Sequence, residues 1–350
     1  MRAALALARR GLGSVAPNPA VGCVVVRDGA VVGRGWTQPG GRPHAETEAL
    51  ARAGDGARGS TAYVTLEPCS HHGRTPPCAD ALVAAGIARA VVATGDPDPR
   101  VSGAGLARLR AAGIAVDEGV LKAEADALNA GFFLRVREGR PLVTLKLATS
   151  LDGRIATPSG ESRWITGEAA RARAHLLRAE HDAILVGSGT ALADDPMLDI
   201  RLAGFEAARR LRVVLDGRSR LPATSRLAAS ARSHPVLLVT RPQADASVLA
   251  ACGVEIARTD GSPRAVLALL ADRGITRLLV EGGGAVAAAF LRSGLVDRVV
   301  RFGAGKVLGG DGVPAVGALG LARLADVPAY VLQAQETCGD DVLETWARAT

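Results

Sequence analysis

His44, Glu46, Cys69 and Cys78 are the residues of this chain whose types and spacing are best suited to chemistry. One imidazole and two thiolates give a zinc ion three ligands and leave its fourth tetrahedral position to water, whose pKa the metal brings to roughly 7. Glu46 stands two residues past His44, where a carboxylate can take the water's proton and pass it to a departing amine. The predicted chemistry is hydrolytic removal of an amino group.

A His-x-Glu followed by a Pro-Cys motif, with the Glu not a ligand, is the pattern of zinc deaminases. Here His44-Ala45-Glu46 is followed by Pro68-Cys69-Ser70-His71-His72-Gly73-Arg74-Thr75-Pro76-Pro77-Cys78. Eight residues separate the cysteines, where the general pattern has two. Proline favours the first position of a helix, so the spacing predicts a helix over Pro77 to Ala85 with Cys78 in its first turn and Gly86 closing it. The helix dipole favours a thiolate there. Pro43 similarly precedes a predicted helix over His44 to Ala53, closed by Gly54. A purely structural zinc site needs a fourth protein ligand, and none is evident unless His71 or His72 serves. Those two histidines read better as a loop pair shaping the pocket, and Arg74 beside them suits a substrate phosphate.

The elements that must position these groups alternate. A helix near Arg2 to Arg10 leads through Pro17-Asn18-Pro19 to a hairpin, Val21 to Val26 and Val31 to Gly35, turned by Asp28-Gly29. Helices and strands then alternate to a polar helix over Leu121 to Arg137, which ends at Gly139-Arg140-Pro141. This is the predicted domain boundary, giving domains 1–140 and 141–350. Beyond it, strand candidates recur at Leu142 to Leu147, Ala183 to Val186, Leu211 to Leu215, Val236 to Val239, Arg277 to Val280 and Val296 to Phe302, with a closing strand at Asp341 to Ala347. Both halves read as layered α/β domains.

At 350 residues the chain is long enough for two cores. The net charge of +7 invites a nucleic-acid reading. Residues 1–140 carry 17 basic and 13 acidic groups, and residues 141–350 carry 25 and 22, so neither half is strongly basic. With aromatic residues at only 3%, a base-stacking surface is disfavoured, and no nucleic-acid partner is expected. Lysines are confined to Lys122, Lys146 and Lys306, so single arginines mean little and Lys146 gains interest. Five scattered cysteines form no disulfide framework and fit a reducing, cytoplasmic setting. Met1 to Arg10 patterns as a helix rather than a leader, and no apolar run is long enough to span a membrane. The sequence leaves a homo-oligomer open.

Four segments of the second half look chemical: Lys146 to Arg154, Gly160 to Thr166 with Trp164, Gly187 to Thr190 with Asp194-Asp195-Pro196, and Glu281-Gly282-Gly283-Gly284. The last two follow strands, where α/β proteins place ligands and where glycines let backbone N–H groups approach phosphate. The first strand lacks a Gly-x-Gly-x-x-Gly turn, which disfavours an ordinary Rossmann domain.

Taken together, these segments resemble the bifunctional riboflavin-biosynthesis deaminase/reductase family along the whole chain. The resemblance is carried by Pro17 to Gly22, the filled gap from Pro68 to Cys78, Ser150 to Arg154, Gly160 to Thr166 and Ala193 to Pro196. It implies a cytidine-deaminase-like three-layer domain followed by a dihydrofolate-reductase-like α/β domain. It also implies hydrolytic loss of the 2-amino group of 2,5-diamino-6-(5-phosphoribosylamino)pyrimidin-4-one, then NADPH-dependent reduction of the ribosyl chain. By the resemblance, His44, Cys69 and Cys78 hold Zn²⁺, Glu46 shuttles protons, and Asn18 and Arg74 contact the pyrimidine nucleotide substrate. Reductase substrate positions fall on Ser162, Arg178, Leu198, Arg201 and Glu281, with both arginines suited to clamp the sugar phosphate. Cofactor positions fall on Ala148, Trp164, Thr190, Asp194, Gly283 and Gly284. Gly217 and Gly305 depart from the family, which commonly has serine and proline there.

Overall fold

The computed structural model describes residues 1–71, 76–98 and 102–349. The chain divides into two compact units, Met1–Gly139 and Arg140–Thr350.

The first unit runs α1 (Arg2–Arg9), β1 (Gly22–Arg27), β2 (Ala30–Trp36), α2 (Ala45–Ala53), β3 (Thr61–Val64), α3 (Cys78–Ala84), β4 (Arg89–Val92), α4 (Ala104–Ala111), β5 (Ala115–Glu118) and α5 (Lys122–Glu138). Its five-stranded sheet has the order β2-β1-β3-β4-β5. β1 is antiparallel to β2 and β3, and the β3-β4-β5 side is parallel. Asp28 and Gly29 both have positive φ, 50° and 78°, so the hairpin closes in the two-residue turn whose twist matches the strands. The core collects Cys23, Val25, Ala45, Ala49, Val64 and Leu82, all buried. Burying a leucine such as Leu82 contributes about 1.5–3 kcal/mol. Small residues set how closely α2 rides on β2: a Cβ on Gly35 would lie 2.2 Å from the Ala45 carbonyl oxygen, and one on Gly33 2.2 Å from that of Ala49.

The second unit runs β6 (Leu142–Thr149), β7 (Arg154–Ala156), α6 (Glu168–Ala179), β8 (Ala183–Gly187), α7 (Ser188–Asp194), β9 (Leu211–Leu215), α8 (Arg226–Ala229), β10 (Val236–Thr240), α9 (Ser247–Ala251), β11 (Glu255–Arg258), α10 (Pro263–Asp272), β12 (Arg277–Val280), α11 (Gly284–Arg292), β13 (Arg298–Gly303), β14 (Val313–Pro314), β15 (Tyr330–Cys338) and β16 (Asp341–Arg348). A nine-stranded sheet has the order β11-β10-β9-β8-β12-β6-β13-β16-β15, and a small sheet pairs β14 with β7. From β11 to β13 neighbours are parallel, and the closing pairs are antiparallel.

The parallel strands read as unbroken apolar runs because both faces are covered. Leu185, Val213, Leu237 and Val280 enter one core, while Ile184, Val186, Val214 and Leu238 enter another on the opposite face. Arg140 anchors the start of β6 by a two-point contact with Asp297, 2.7 and 2.9 Å, and Asp297 also accepts the Val143 N–H at 2.8 Å.

Helix and strand bounds differ from the sequence expectation mainly by a residue or two at the ends, as fraying ends do. The larger departures are the strands that the sequence reading did not separate: the short β7, β11 and β14, and the longer β15. Val331 to Thr337 are exposed, so no buried alternation marks that strand.

Candidate active sites

In the first unit, His44 is the N-cap of α2, with extended backbone (φ −70°, ψ 160°), and Glu46 lies in the first turn. Cys78 is the first residue of α3, behind Pro77 as its cap. Cys69 comes from the segment after β3 and accepts the Cys78 N–H at 3.3 Å. His44 Nδ1 lies 3.2 Å from Cys78 Sγ and 3.7 Å from Cys69 Sγ, and the three donor atoms lie within 4.8 Å of one another. Zinc bonds of roughly 2.0–2.3 Å place tetrahedral ligand atoms about 3.5 Å apart, so the donor set fits zinc. The hydrogen bond from Cys78 draws the Cys69 thiol down to about 4, and its reciprocal pushes the Cys78 thiol up. Two crowded sulfurs thus share a proton where a dication fits.

Glu46 is 3% exposed, and burial raises its carboxyl to about 7. His44, Cys69 and Glu46 face a cavity of about 300 Å³, lined also by Asn18, Arg42, His71, Asp96, Phe132 and Arg135. Asn18 is thus brought to the same cavity as the ligands, whereas Arg74 lies outside the described residues, as does His72. Asp96, Phe132 and Arg135 were not foreseen. Asp96 follows β4, and burial raises its carboxyl to about 6. Its position at the C-terminal end of a parallel strand was the available signal.

Glu67 was also missed, and it fixes the ligand loop. Its Oε1 accepts the Gly105 and Leu106 N–H groups at 3.0 and 3.4 Å, and its Oε2 accepts those of Gly103 and Asp96 at 3.0 and 3.4 Å. The carboxylate thus ties Pro68-Cys69 to the start of α4.

In the second unit, the C-terminal ends of β6, β8 and β12 meet around two adjoining cavities of about 370 and 230 Å³. Lys146, Ser162, Trp164, Thr190, Asp194 and Glu281 line both. Leu198, Arg178 and Arg201 complete the first, and Ala148 and Gly283 the second. Gly284 lines neither; a Cβ there would lie 2.8 Å from the Pro314 carbonyl oxygen, so it packs against that turn. The Gly283 N–H donates to Thr190 Oγ1 at 3.0 Å, joining the β8 and β12 turns. Trp164 is 58% exposed, with Arg171 4.5 Å from its ring centre, as a wall residue open to a planar ligand would be.

The arginines differ in state. Arg178 is committed to Glu281, with Nε to Oε1 at 2.6 Å and Nη2 to Oε2 at 3.0 Å, and donates to the Asp199 carbonyl at 2.8 Å. Arg201 is exposed and donates through Nε to His175 at 3.2 Å. Lys146 Nζ approaches Glu281 at 3.8 Å. Burial lowers the lysine's pKa, with Glu281 opposing that shift. Burial would raise Glu281, but Arg178 and Lys146 hold it at about 2. The cavity floor is thus a buried carboxylate between two cations.

A zinc-type hydrolytic centre in one unit and a cleft of two adjoining cavities at the strand ends of an α/β sheet in the other define a two-site enzyme. Residues 1–94 match the cytidine and deoxycytidylate deaminase zinc-binding region, and residues 141–343 match the RibD C-terminal domain. The riboflavin biosynthesis protein RibD of Escherichia coli is 43% identical, over 98% of this chain and 96% of its own length. That of Aquifex aeolicus is 41% identical over 98% and 96%. The solved Acinetobacter baumannii RibD, form 1, is 39% identical with a TM-score of 0.91, covering 100% of this chain and 98% of that one. A Thermotoga maritima diaminohydroxyphosphoribosylaminopyrimidine deaminase/5-amino-6-(5-phosphoribosylamino)uracil reductase is 38% identical with a TM-score of 0.90, covering 100% and 97%.

The chain belongs to the RibD family, the bifunctional deaminase/reductases of riboflavin biosynthesis. Its first unit is cytidine-deaminase-like with a zinc-binding region, and its second is the RibD reductase domain, for which NADPH is the reductant. No helix among the described residues is long and apolar enough to cross a membrane.

Proposed function

We propose that residues 1–140 remove the 2-amino group of 2,5-diamino-6-(5-phosphoribosylamino)pyrimidin-4-one and that residues 141–350 then reduce its ribosyl chain. The observation that carries this reading is the convergence of the His44, Cys69 and Cys78 donor atoms at a cavity that His44, Cys69 and the buried Glu46 line. His44, Cys69 and Cys78 hold the zinc, which when bound makes water nucleophilic at neutral pH. Glu46, near neutral pKa, holds and releases the proton that must reach the departing amine. Asn18 and Arg74 bind the substrate.

In the second unit NADPH supplies a hydride. Ala148, Trp164, Thr190, Asp194, Gly283 and Gly284 form its cradle, with Gly284 acting through the turn it closes. Ser162, Leu198 and Arg201 bind the sugar phosphate chain, and the Arg178–Glu281 pair orients it. Most of the protein's contribution here is alignment of two bound molecules. The near-balanced charge of each half supports a small-molecule substrate without nucleic acid, and reduced thiol ligands support a cytoplasmic setting.

The purified protein should release ammonia from the diaminopyrimidine nucleotide and then consume NADPH. Glu46→Ala should keep its zinc, lose ammonia release and still reduce supplied 5-amino-6-(5-phosphoribosylamino)uracil. Ammonia release by that variant, or none by the zinc-loaded parent, would overturn the reading.

A further inference from the structure

Arg212, in β9, is 2% exposed, yet it forms no ion pair among the described residues. Largely buried arginines elsewhere in this chain meet carboxylates, as at Arg178 and Arg140. Asp199, which favours the Arg212 charge, pairs instead with Arg201 at 3.7 Å. Burial draws the Arg212 pKa down to about 10, so the side chain remains a cation at neutral pH. Its partners are neutral. Nη1 donates to the Met197 carbonyl at 3.0 Å and to Ser230 Oγ at 2.9 Å, and Nη2 donates to the His234 carbonyl. The buried Nε has no partner among the described residues. A buried cation without a counter-ion, and with one orphaned donor, costs stability that an apolar side chain of similar volume would not.

What the cation holds is the segment between α7 and β9. Asp195 and Leu198 both adopt left-handed backbone there, φ 40° and 52°. A side chain opposes that conformation, which persists only where the surroundings over-determine it. Leu198 is buried, packed with Val214 on the sheet face from which Arg212 also projects by strand alternation. The carbonyls on either side of Leu198 are each taken by an arginine: that of Met197 by Arg212, and that of Asp199 by Arg178 at 2.8 Å. Arg178 lines the larger reductase cavity, whereas Arg212 lines neither cavity. Met197, Leu198, Asp199 and Arg201 line the larger cavity and not the smaller one. A planar fork suits this task, since it reaches the Met197 and His234 carbonyls from one rigid group.

We infer that Arg212 is a positioning residue for the reductase substrate, fixing from behind the left-handed turn that carries Leu198 and Arg201 to the cavity. The inference rests on the substrate placement proposed above. The test measures both KM values of the reductase in the full chain. Arg212→Met should raise KM for 5-amino-6-(5-phosphoribosylamino)uracil by roughly tenfold, the worth of one charge-assisted contact. KM for NADPH and the rate of ammonia release should stay at parental values. A merely structural role would raise both KM values together, because the two cavities share walls such as Thr190 and Glu281. Arg212→Lys keeps the buried charge but not the fork, and it should show the same split in smaller measure. It is the variant read if Arg212→Met does not fold. A parental KM for the uracil nucleotide, or an equal rise in both KM values, overturns the inference. Arg201→Ala separates the two readings. If neither Arg201→Ala nor the Arg212 variants change KM for the uracil nucleotide, the substrate placement fails and this inference with it; if only Arg201→Ala raises it, the inference alone fails.

Discussion

Arg178 and Glu281 meet in a two-point ion pair, 2.6 and 3.0 Å, from different elements of the reductase unit, α6 and the turn after β12. Both side chains are largely buried, 15% and 7% exposed, so each charge leans on the other more than on water. Lys146, from β6, completes the group.

Removing the carboxylate's charge should therefore be costly. Glu281→Gln leaves Arg178 buried without its counter-ion, and the expected loss is about 3–5 kcal/mol. The pH sign follows from the depressed pKa. Glu281 is held at about 2 against 4.5 ordinarily, so its contribution is complete above 4.5 and is lost as pH falls from there toward 2. Thermal melting of the parent should decline through that window, and the variant should show a flatter acid limb from a lower starting Tm. An identical acid slope in both would show that the pair is not the group being titrated.

Gly35 sets the seat of α2, and through it His44 and Glu46. Its missing Cβ leaves room for the Ala45 carbonyl oxygen at 2.2 Å and the Ala49 nitrogen at 2.6 Å from where that atom would sit. Gly35→Ala should displace the helix start and cost about 1–3 kcal/mol as overpacking does. Zinc content and ammonia release should drop, while reduction of supplied 5-amino-6-(5-phosphoribosylamino)uracil persists. Full zinc occupancy with parental deamination would refute this role.

Glu67 holds Cys69's segment by four backbone N–H contacts, two on each oxygen. Glutamine keeps the size but turns one acceptor into a donor facing N–H groups. Glu67→Gln should weaken zinc binding roughly 10–100-fold, the usual effect of losing a support behind a ligand. Competition with a calibrated chelator measures it, and parental affinity would assign Glu67 to the fold alone.

The zinc centre was legible because ligand types are chemically distinctive and because proline and glycine marked both helix ends that present them. The segments of Ser162, Thr190 and Glu281 stood out by themselves, but the roles of these residues, and that of Asn18, were reachable only through resemblance. Glu67, Phe132 and Arg135 were not legible at all. Their roles arise where α4 and α5 pack on the site, a tertiary fact with no sequence period. Gly33 and Gly35 carry a signal that was not used, since a glycine inside a strand marks close backbone approach. Arg178 shows the reverse limit: its position was anticipated, but its two-point pairing with Glu281, rather than a free clamp, appears only in three dimensions.

Metal uptake should report the shared proton between the two thiols. The hydrogen bond from Cys78 brings Cys69 to about 4, so Cys69 is a thiolate at neutral pH, and the same contact pushes Cys78 up and keeps it protonated. Zinc needs both sulfurs deprotonated. Above the titrations of His44 and Glu46, binding to the metal-free protein should then release about one proton, from Cys78, rather than the two that independent thiols would give. Calorimetric titration in two buffers of different ionisation enthalpy counts the protons directly. Release of two would mean that Cys69 carries its own proton in the metal-free site and that the sulfurs are not paired.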